Sequence, residues 1–501
     1  MAVPAAALHS GMTNSARGAR TQLAQIAVAA MEERGLEPEF PAAVQRELAG
    51  MRPLAFDASA GIADLRALPW CSLDNDDSLD LDQLTSCETL AGGAVRVRVA
   101  IADVDVRVAK GSAVDAHARL NTTSVYTSAR VFPMLPERLS TDLTSLNPGQ
   151  DRLAMVTEMV VAEDGAVTEP KVRRAWVRNQ AKLAYDAVSD WILGRGALPA
   201  AAAAVDGMDA QLRVQDAVAQ RLRERRHAEG SLELETFQPR ALFEGERVVD
   251  IRQQEQNRAR QLIEELMIAT NTCTAHYLAS RGGASVRRVV RSPERWQRIV
   301  DVARRYGTSL PGAPDSKALE AFLARQHRAD PLRFPDLSLV IVKLMGAGEY
   351  VVEQAGATPI GHFGLAVRDY THSTAPNRRY PDLVTLRMLK AMLAGAAPPY
   401  TLADLEALAT HCSQQEDAAR KVERRVRKSE AALFLEPQIG RHFDALVTGR
   451  TESATWVRTL APPVEGMLVG RMPVLDVGQQ VRVKLQSTNV ERGFIDFVLA
   501  P

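Results

Sequence analysis

Residues 73–83 read Leu73-Asp74-Asn75-Asp76-Asp77-Ser78-Leu79-Asp80-Leu81-Asp82-Gln83. Five aspartates fall within nine residues. An acidic run is ordinarily a solvated loop. Here the carboxylates alternate with Leu79, Leu81 and Leu84, so the segment is anchored, and a valine-rich alternating stretch follows at 96–108 (RVRVAIADVDVRV) that predicts a core strand. Clustered carboxylates repel unless a cation neutralises them. Hard oxygen donors favour Mg²⁺ or Ca²⁺ over zinc. The spacing lacks the glycine and terminal glutamate of an EF-hand loop. A magnesium site of few carboxylates suits a phosphodiester, and two ions about 4 Å apart would clamp the attacking and leaving oxygens of an in-line displacement.

Outward from this loop, strands are expected at 153–161 and 167–176 around the turn Glu163-Asp164-Gly165. Helical periodicity marks 211–227, 258–278, a series between 294 and 343 broken at its prolines, and 404–434. Strands early and helices late indicate an α+β core. Five short strand patterns close the chain, at 443–448, 456–460, 464–469, 480–486 and 494–499, and suit a small OB-type barrel. At the other end, 21–34 and 41–48 are two short helical patterns that could pair as a helix-turn-helix-like module, for nucleic acid or for structure alone. The expected organisation is a small helical part (1–60), a catalytic domain (61–436) and a terminal OB-type barrel (437–501).

Composition narrows the class. Hydrophobic residues make up 46 % and charged residues 24 % of the 501, which is ordinary for a soluble globular chain. There is no apolar run of membrane-spanning length and no recognisable signal peptide. The four cysteines show no CxxC pair, so zinc and disulfide frameworks are disfavoured and a reducing cytoplasm is expected. Sixty-one basic and 61 acidic residues cancel, which argues against a general polycation but leaves room for a local basic channel.

The loop resembles the catalytic signature of the ribonuclease II / ribonuclease R (RNB) family, in which one aspartate is followed six and eight residues later by two more: Asp74, Asp80 and Asp82. The family often adds a fourth immediately afterwards. Here that position is Gln83, so Asp76 or Asp77 would supply the missing charge, or a second ion would bind weakly. Further segments follow in family order: 125–155 with its Ser-Leu-Asn-Pro turn, 181–191 (AKLAYDAVSDW), 262–271 (LIEELMIATN) and 361–387 with Thr-x-Pro-x-Arg-Arg-Tyr. The resemblance implies an Mg²⁺-dependent 3′-to-5′ exoribonuclease acting on single-stranded RNA with a free 3′ end, working as a monomer. It implies that Asp74 and Asp80 hold metal, that Asp82 is the most sensitive aspartate, positioning metal and water, and that Arg378 meets the scissile phosphate. Tyr185 would stack on a base and set the final fragment length. Tyr350, Arg379 and Glu423 would lie along the channel, and Trp456, Arg458, Lys484 and Arg492 would meet RNA on the barrel. His362 and His372 are read as structural. Only 73 residues precede Asp74, too few for the family's two N-terminal cold-shock-type domains. Two rivals remain: a relative that kept the channel and lost chemistry through Gln83, and an interaction protein whose acidic loop binds a basic partner.

Overall fold

The computed structural model describes residues 18–57, 61–235, 239–253, 257–451, 453–471 and 473–500. Its centre is a seven-stranded mixed sheet. From edge to edge run Ala63–Asp64, Val167–Arg178, Asp151–Val161, Val95–Ala102, Gln83–Thr89, Cys71–Asp74 and Ala181–Ala184. The outer pairs are parallel and the rest antiparallel. Alternation explains the central strands: in Val95–Ala102, Val95, Val97 and Val99 are buried in one core and Ala100 and Ala102 in the other. The predicted strand 96–108 stops at Ala102. Beyond it, the buried Asp103 and its neighbour Asp105 turn aside to ion-pair with Lys390, at 2.9 and 2.8 Å, and Asp105 also with Arg387.

Helices cover both faces. Met208–Glu229 and Arg258–Ser280 pack on one side through Leu212, Val218, Leu262 and Leu266. Tyr380–Leu393 and part of Leu402–Leu435 cover the other through Leu383, Leu386, Leu405 and Leu408. The long helix starts at a reciprocal capping box between Thr401 and Asp404. Trp296–Arg305, Ser316–Ala329 and Phe334–Met345 bury a separate small core around Phe322 and Phe334. The prolines that interrupt the sequence pattern fall between or at the starts of these helices.

The terminal strands His442–Arg450, Thr455–Thr459, Glu465–Leu468, Phe494–Leu499 and Gln480–Asn489 form a closed barrel in that spatial order. Its interior is tight: a Cβ at Gly466 would lie 2.5 Å from the buried Phe497 ring, so only glycine fits there. Arg458, expected to meet RNA, is buried and forks onto Asp336 of the Phe334–Met345 helix, with Nη2 2.7 Å from Oδ2. It joins the barrel to the body instead.

The N-terminal helices exist but do not pair as a helix-turn-helix. Ala19–Glu32 divides its apolar face between the barrel core (Leu23, Ile26) and the long helix (Ala27, Ala30, Met31). Ala42–Ala49 sends Val44 and Leu48 into the main core. Each fully buried large aliphatic contributes about 1.5–3 kcal/mol, so both helices are held by other elements rather than by one another. All four cysteines are free, and no described helix is long and apolar enough to cross a membrane.

Candidate active site

Cys71–Asp74 runs parallel to Ala181–Ala184 with Asp74 level with Ala184. The acidic loop therefore leaves the sheet beside Tyr185, the first residue of the helix Tyr185–Ile192. The loop is closely pinned. Leu81 N–H donates to Ser145 Oγ at 3.0 Å, Ser145 Oγ–H to Leu79 O at 2.7 Å, and Leu146 N–H to Leu81 O at 2.9 Å. The Ser-Leu-Asn-Pro turn is thus the anchor of the aspartates. Lys182 Nζ holds the loop from the other side through Asp76 O at 3.1 Å.

Asp82 is wholly buried. Its Oδ2 accepts from Arg378 Nε at 2.7 Å and its Oδ1 from Asn377 N–H at 3.2 Å. Burial pushes its carboxyl up to about 6, although Arg378 pulls the other way. Arg378 is held protonated: burial opposes its charge, but Asp82, Tyr126, Asp80 and Asp74 outweigh that. The Arg378 side chain as a whole remains 38 % exposed, and among the described residues its two terminal amines make no hydrogen bond to protein. Asp82 was expected to position metal and water. The structure shows each of its oxygens accepting one protein hydrogen bond, and through Oδ2 it holds Arg378.

Asp74 Oδ1 accepts from Asn75 N–H at 2.7 Å and Ser78 Oγ–H at 2.9 Å, while no described donor reaches Oδ2. Asp80 is pushed up chiefly by burial, with Asp74 and Asp77 adding repulsion and Arg378 opposing. Asp77 itself is exposed. Gln83 is buried and turns its amide toward Leu73 O, 3.5 Å away, on the Asp74 side of the strand. Asp74, Asp80 and Asp82 do not bring three ligand atoms within 4.8 Å of one another. Asp74 lies near enough to Asp80 to raise its carboxyl, and among the described residues neither forms an ion pair, so the two suit a hexacoordinate hard cation that keeps most of its waters. Among the described residues, His227, Glu233 and Glu320 do converge within 4.8 Å. Each of them already has a protein partner: His227 lies 3.4 Å from Glu320, Glu320 accepts from Glu233 N–H, and Glu233 pairs with Arg223.

Tyr126 was missed by sequence reasoning. It is 39 % exposed overall; burial of its phenol pushes the pKa up to about 12, with Asp80 and Asp82 adding to the rise and Arg378 opposing it. Its backbone N–H donates to Glu423 Oε1 at 3.1 Å, which brings Glu423 to the site's edge through Tyr126. Tyr185 is half-buried with the Arg260 guanidinium 4.6 Å from its ring centroid. Two expected channel residues are placed otherwise. Tyr350 is buried in the main core, its hydroxyl 2.8 Å from His372 Nδ1, which leaves no ring face for a base. Arg379 is clamped by the buried Asp382, at 2.9 Å through Nε and 2.7 Å through Nη2. On the barrel, Trp456 is half-buried and Lys484 and Arg492 are exposed.

His362 and His372 are neutral structural residues. Burial pushes His362 down to about 4, and its Nδ1 accepts from Leu365 N–H at 3.2 Å. A histidine whose folded pKa lies below its unfolded value contributes stability that is complete above about 6.5 and lost as pH falls toward the folded pKa. Asp82 has the opposite sign, because acidification through about 6 relieves its burial. We expect the melting temperature to fall from pH 7 to pH 5, and His362→Gln to flatten that slope. Parallel thermal melts check this, and equal slopes would refute it.

Comparison with known proteins gives the family. The RNB domain family matches residues 62–395, and the RNase II-type exonuclease C-terminal S1 domain matches 441–500. Ribonuclease R of Vibrio cholerae is 31 % identical over 97 % of this chain and 62 % of its own length. Ribonuclease R of Escherichia coli is 30 % identical over 92 % and 60 %. The chain thus spans about three fifths of the length of these curated relatives. Among solved structures, the apo form of Mycoplasma genitalium RNase R superposes with a TM-score of 0.85 at 23 % identity, covering 95 % of this chain and 78 % of that one. Yeast Ssd1, a pseudonuclease, shares the fold at a TM-score of 0.68 and 17 % identity, covering 87 % and 54 %. With an RNB-domain match over two thirds of its residues and an S1-type barrel behind it, the chain belongs to the RNB family of RNase II-type proteins.

Proposed function

We propose that this chain is a magnesium-dependent 3′-to-5′ exoribonuclease that hydrolyses single-stranded RNA to nucleoside 5′-monophosphates, acting as a monomer in the cytoplasm. The observation that carries the reading is the Asp82–Arg378 pair. A wholly buried carboxylate fixes one edge of a guanidinium whose terminal amines are unspent among the described residues and which lies within electrostatic reach of Asp74 and Asp80. Paired N–H donors suit the equatorial oxygens of a phosphorane-like transition state. Asp74 and Asp80 would hold the cation, which when bound would neutralise phosphate charge and lower the pKa of water. Tyr126 and Tyr185 flank the loop and offer aromatic faces to the last bases. Trp456, Lys484 and Arg492 would guide the strand at the barrel.

The test is digestion of end-labelled RNA with and without Mg²⁺, resolved by size. Stepwise shortening from the 3′ end that depends on Mg²⁺ is expected. Tyr185→Ala, losing about 1–3 kcal/mol of stacking, should alter the final fragment length more than the rate on long RNA, and an unchanged fragment would exclude Tyr185 as the clamp. A second reading, a catalytically impaired RNA-binding relative, is favoured by Gln83 and by the fold's occurrence in a pseudonuclease. Tight RNA binding with no shortening at any Mg²⁺ concentration would establish it.

A further inference from the structure

Arg260 lies outside every segment that sequence reasoning singled out for chemistry, yet its guanidinium bridges two of them. It sits near the N-terminus of Arg258–Ser280, where Asn257 caps the helix by accepting from Arg260 N–H at 2.9 Å. The same Asn257 donates through Nδ2 to Asp186 Oδ1 at 2.6 Å, tying this helix start to that of Tyr185–Ile192. One face of the guanidinium lies over the Tyr185 ring, 4.6 Å from its centroid. Its Nη2 donates to Asn75 Oδ1 at 2.7 Å. The backbone N–H of Asn75 in turn donates to Asp74 Oδ1 at 2.7 Å. An unbroken chain of contacts therefore runs from the aromatic ring through Arg260 and Asn75 to the carboxylate whose other oxygen is unspent.

We propose that Arg260 is a positioning residue that ties the Tyr185 ring to the acidic loop and orients Asp74 for a divalent cation. The inference rests on the metal reading above but not on base stacking. Groups that orient a ligand commonly matter about 10–100-fold for metal affinity. The tie also gives Tyr185 a second consequence. Cation–π contact is worth about 0.5–2 kcal/mol, so loss of the ring should loosen Arg260 and weaken cation binding even with no RNA present.

The sign of the effect separates positioning from plain electrostatics. A cation beside the loop repels a second cation, so if Arg260 were only a charge, its removal would tighten metal binding. If it positions Asp74, removal weakens binding. The experiment is Mn²⁺ titration of the full, RNA-free chain by electron paramagnetic resonance. Arg260→Met should weaken Mn²⁺ binding about tenfold, and Tyr185→Ala about threefold. The double variant should be no weaker than Arg260→Met, because both act through one chain. Arg260→Lys, which keeps charge but loses the planar fork, should fall in between, and it replaces the methionine variant if that one does not fold. Unchanged or tighter binding in folded Arg260→Met overturns the proposal. So does additive loss in the double variant, or a Tyr185→Ala protein that binds Mn²⁺ normally. A wild-type chain that fails to bind Mn²⁺ at all overturns the metal reading together with it. Binding and RNA hydrolysis that persist in Arg260→Met at wild-type Mn²⁺ affinity overturn this inference alone.

Discussion

Asp82→Asn is expected to lower RNA hydrolysis by at least about a hundredfold while the protein stays folded. The amide has the shape of the carboxylate, and its oxygen can still accept from Asn377 N–H. Its NH₂ then faces Arg378 Nε, a donor against a donor, where a 2.7 Å charge-assisted bond stood. Removing one partner of a buried ion pair costs about 3–5 kcal/mol when the other is left buried and unpaired. Arg378 is 38 % exposed, so it can escape much of that cost by turning to solvent. The loss then appears in turnover rather than in stability, because a guanidinium turned to water no longer meets the phosphate. Arg378→Lys should lose a comparable factor, since one ammonium cannot hold Asp82 and also present two donors. The double variant should be little worse than either single one. Single-turnover rates at saturating Mg²⁺, with melting curves alongside, measure both. Near-normal turnover by a folded Asp82→Asn protein would refute the role given to this pair.

The second large effect concerns the cation. Chelation by EDTA should abolish hydrolysis, and Gln83→Asp should lower the Mg²⁺ concentration for half-maximal rate by about tenfold. Tenfold is 1.4 kcal/mol, well within the roughly 4 kcal/mol of two unit charges 4 Å apart at an effective dielectric of 20. Gln83 is only 5 % exposed, and its amide reaches toward Leu73 O beside Asp74. A carboxylate there would add negative charge beside Asp74 and repel it in the ion-free protein. The variant should therefore melt lower than wild type in EDTA and recover more on Mg²⁺ addition. Opposite signs in the two conditions distinguish a ligand position from a packing defect. Identical Mg²⁺ dependence in the variant and wild type would show that position 83 lies outside the cation's reach.

What was legible in the sequence follows from how local each signal is. The aspartate spacing and the alternation of the barrel strands are local, and both predict what the chain forms: a pinned acidic loop and a closed five-stranded barrel. Resemblance supplied Arg378, which lies 296 residues from Asp82 and carries no signal of its own. Tyr126, Asn377 and Arg260 were illegible because their partners are set by tertiary contact alone. Amphipathic periodicity located both N-terminal helices but not their partners, since an apolar stripe does not specify which core receives it. Arg379 and Tyr350 failed for a related reason. Arginine next to arginine, or a lone tyrosine, looks alike whether it faces RNA or a buried Asp382 or His372.

The Leu402–Leu435 helix runs about 50 Å at 1.5 Å per residue. It ends inside the same hydrophobic cluster as the barrel, joined there by Leu23 and Ile26. Arg458 bolts the barrel to a second helix. A barrel held at both of these points would resist swinging aside like the lid of a clam, which would keep the middle of a strand from dropping in. Under the proposed function, a polymer would then reach Asp80 as thread passes a needle's eye, by a free tip. Preference for chain ends would in that case be a property of stiffness: the rigidity of the frame, and no feature of the aspartates, would decide that cutting starts at a terminus.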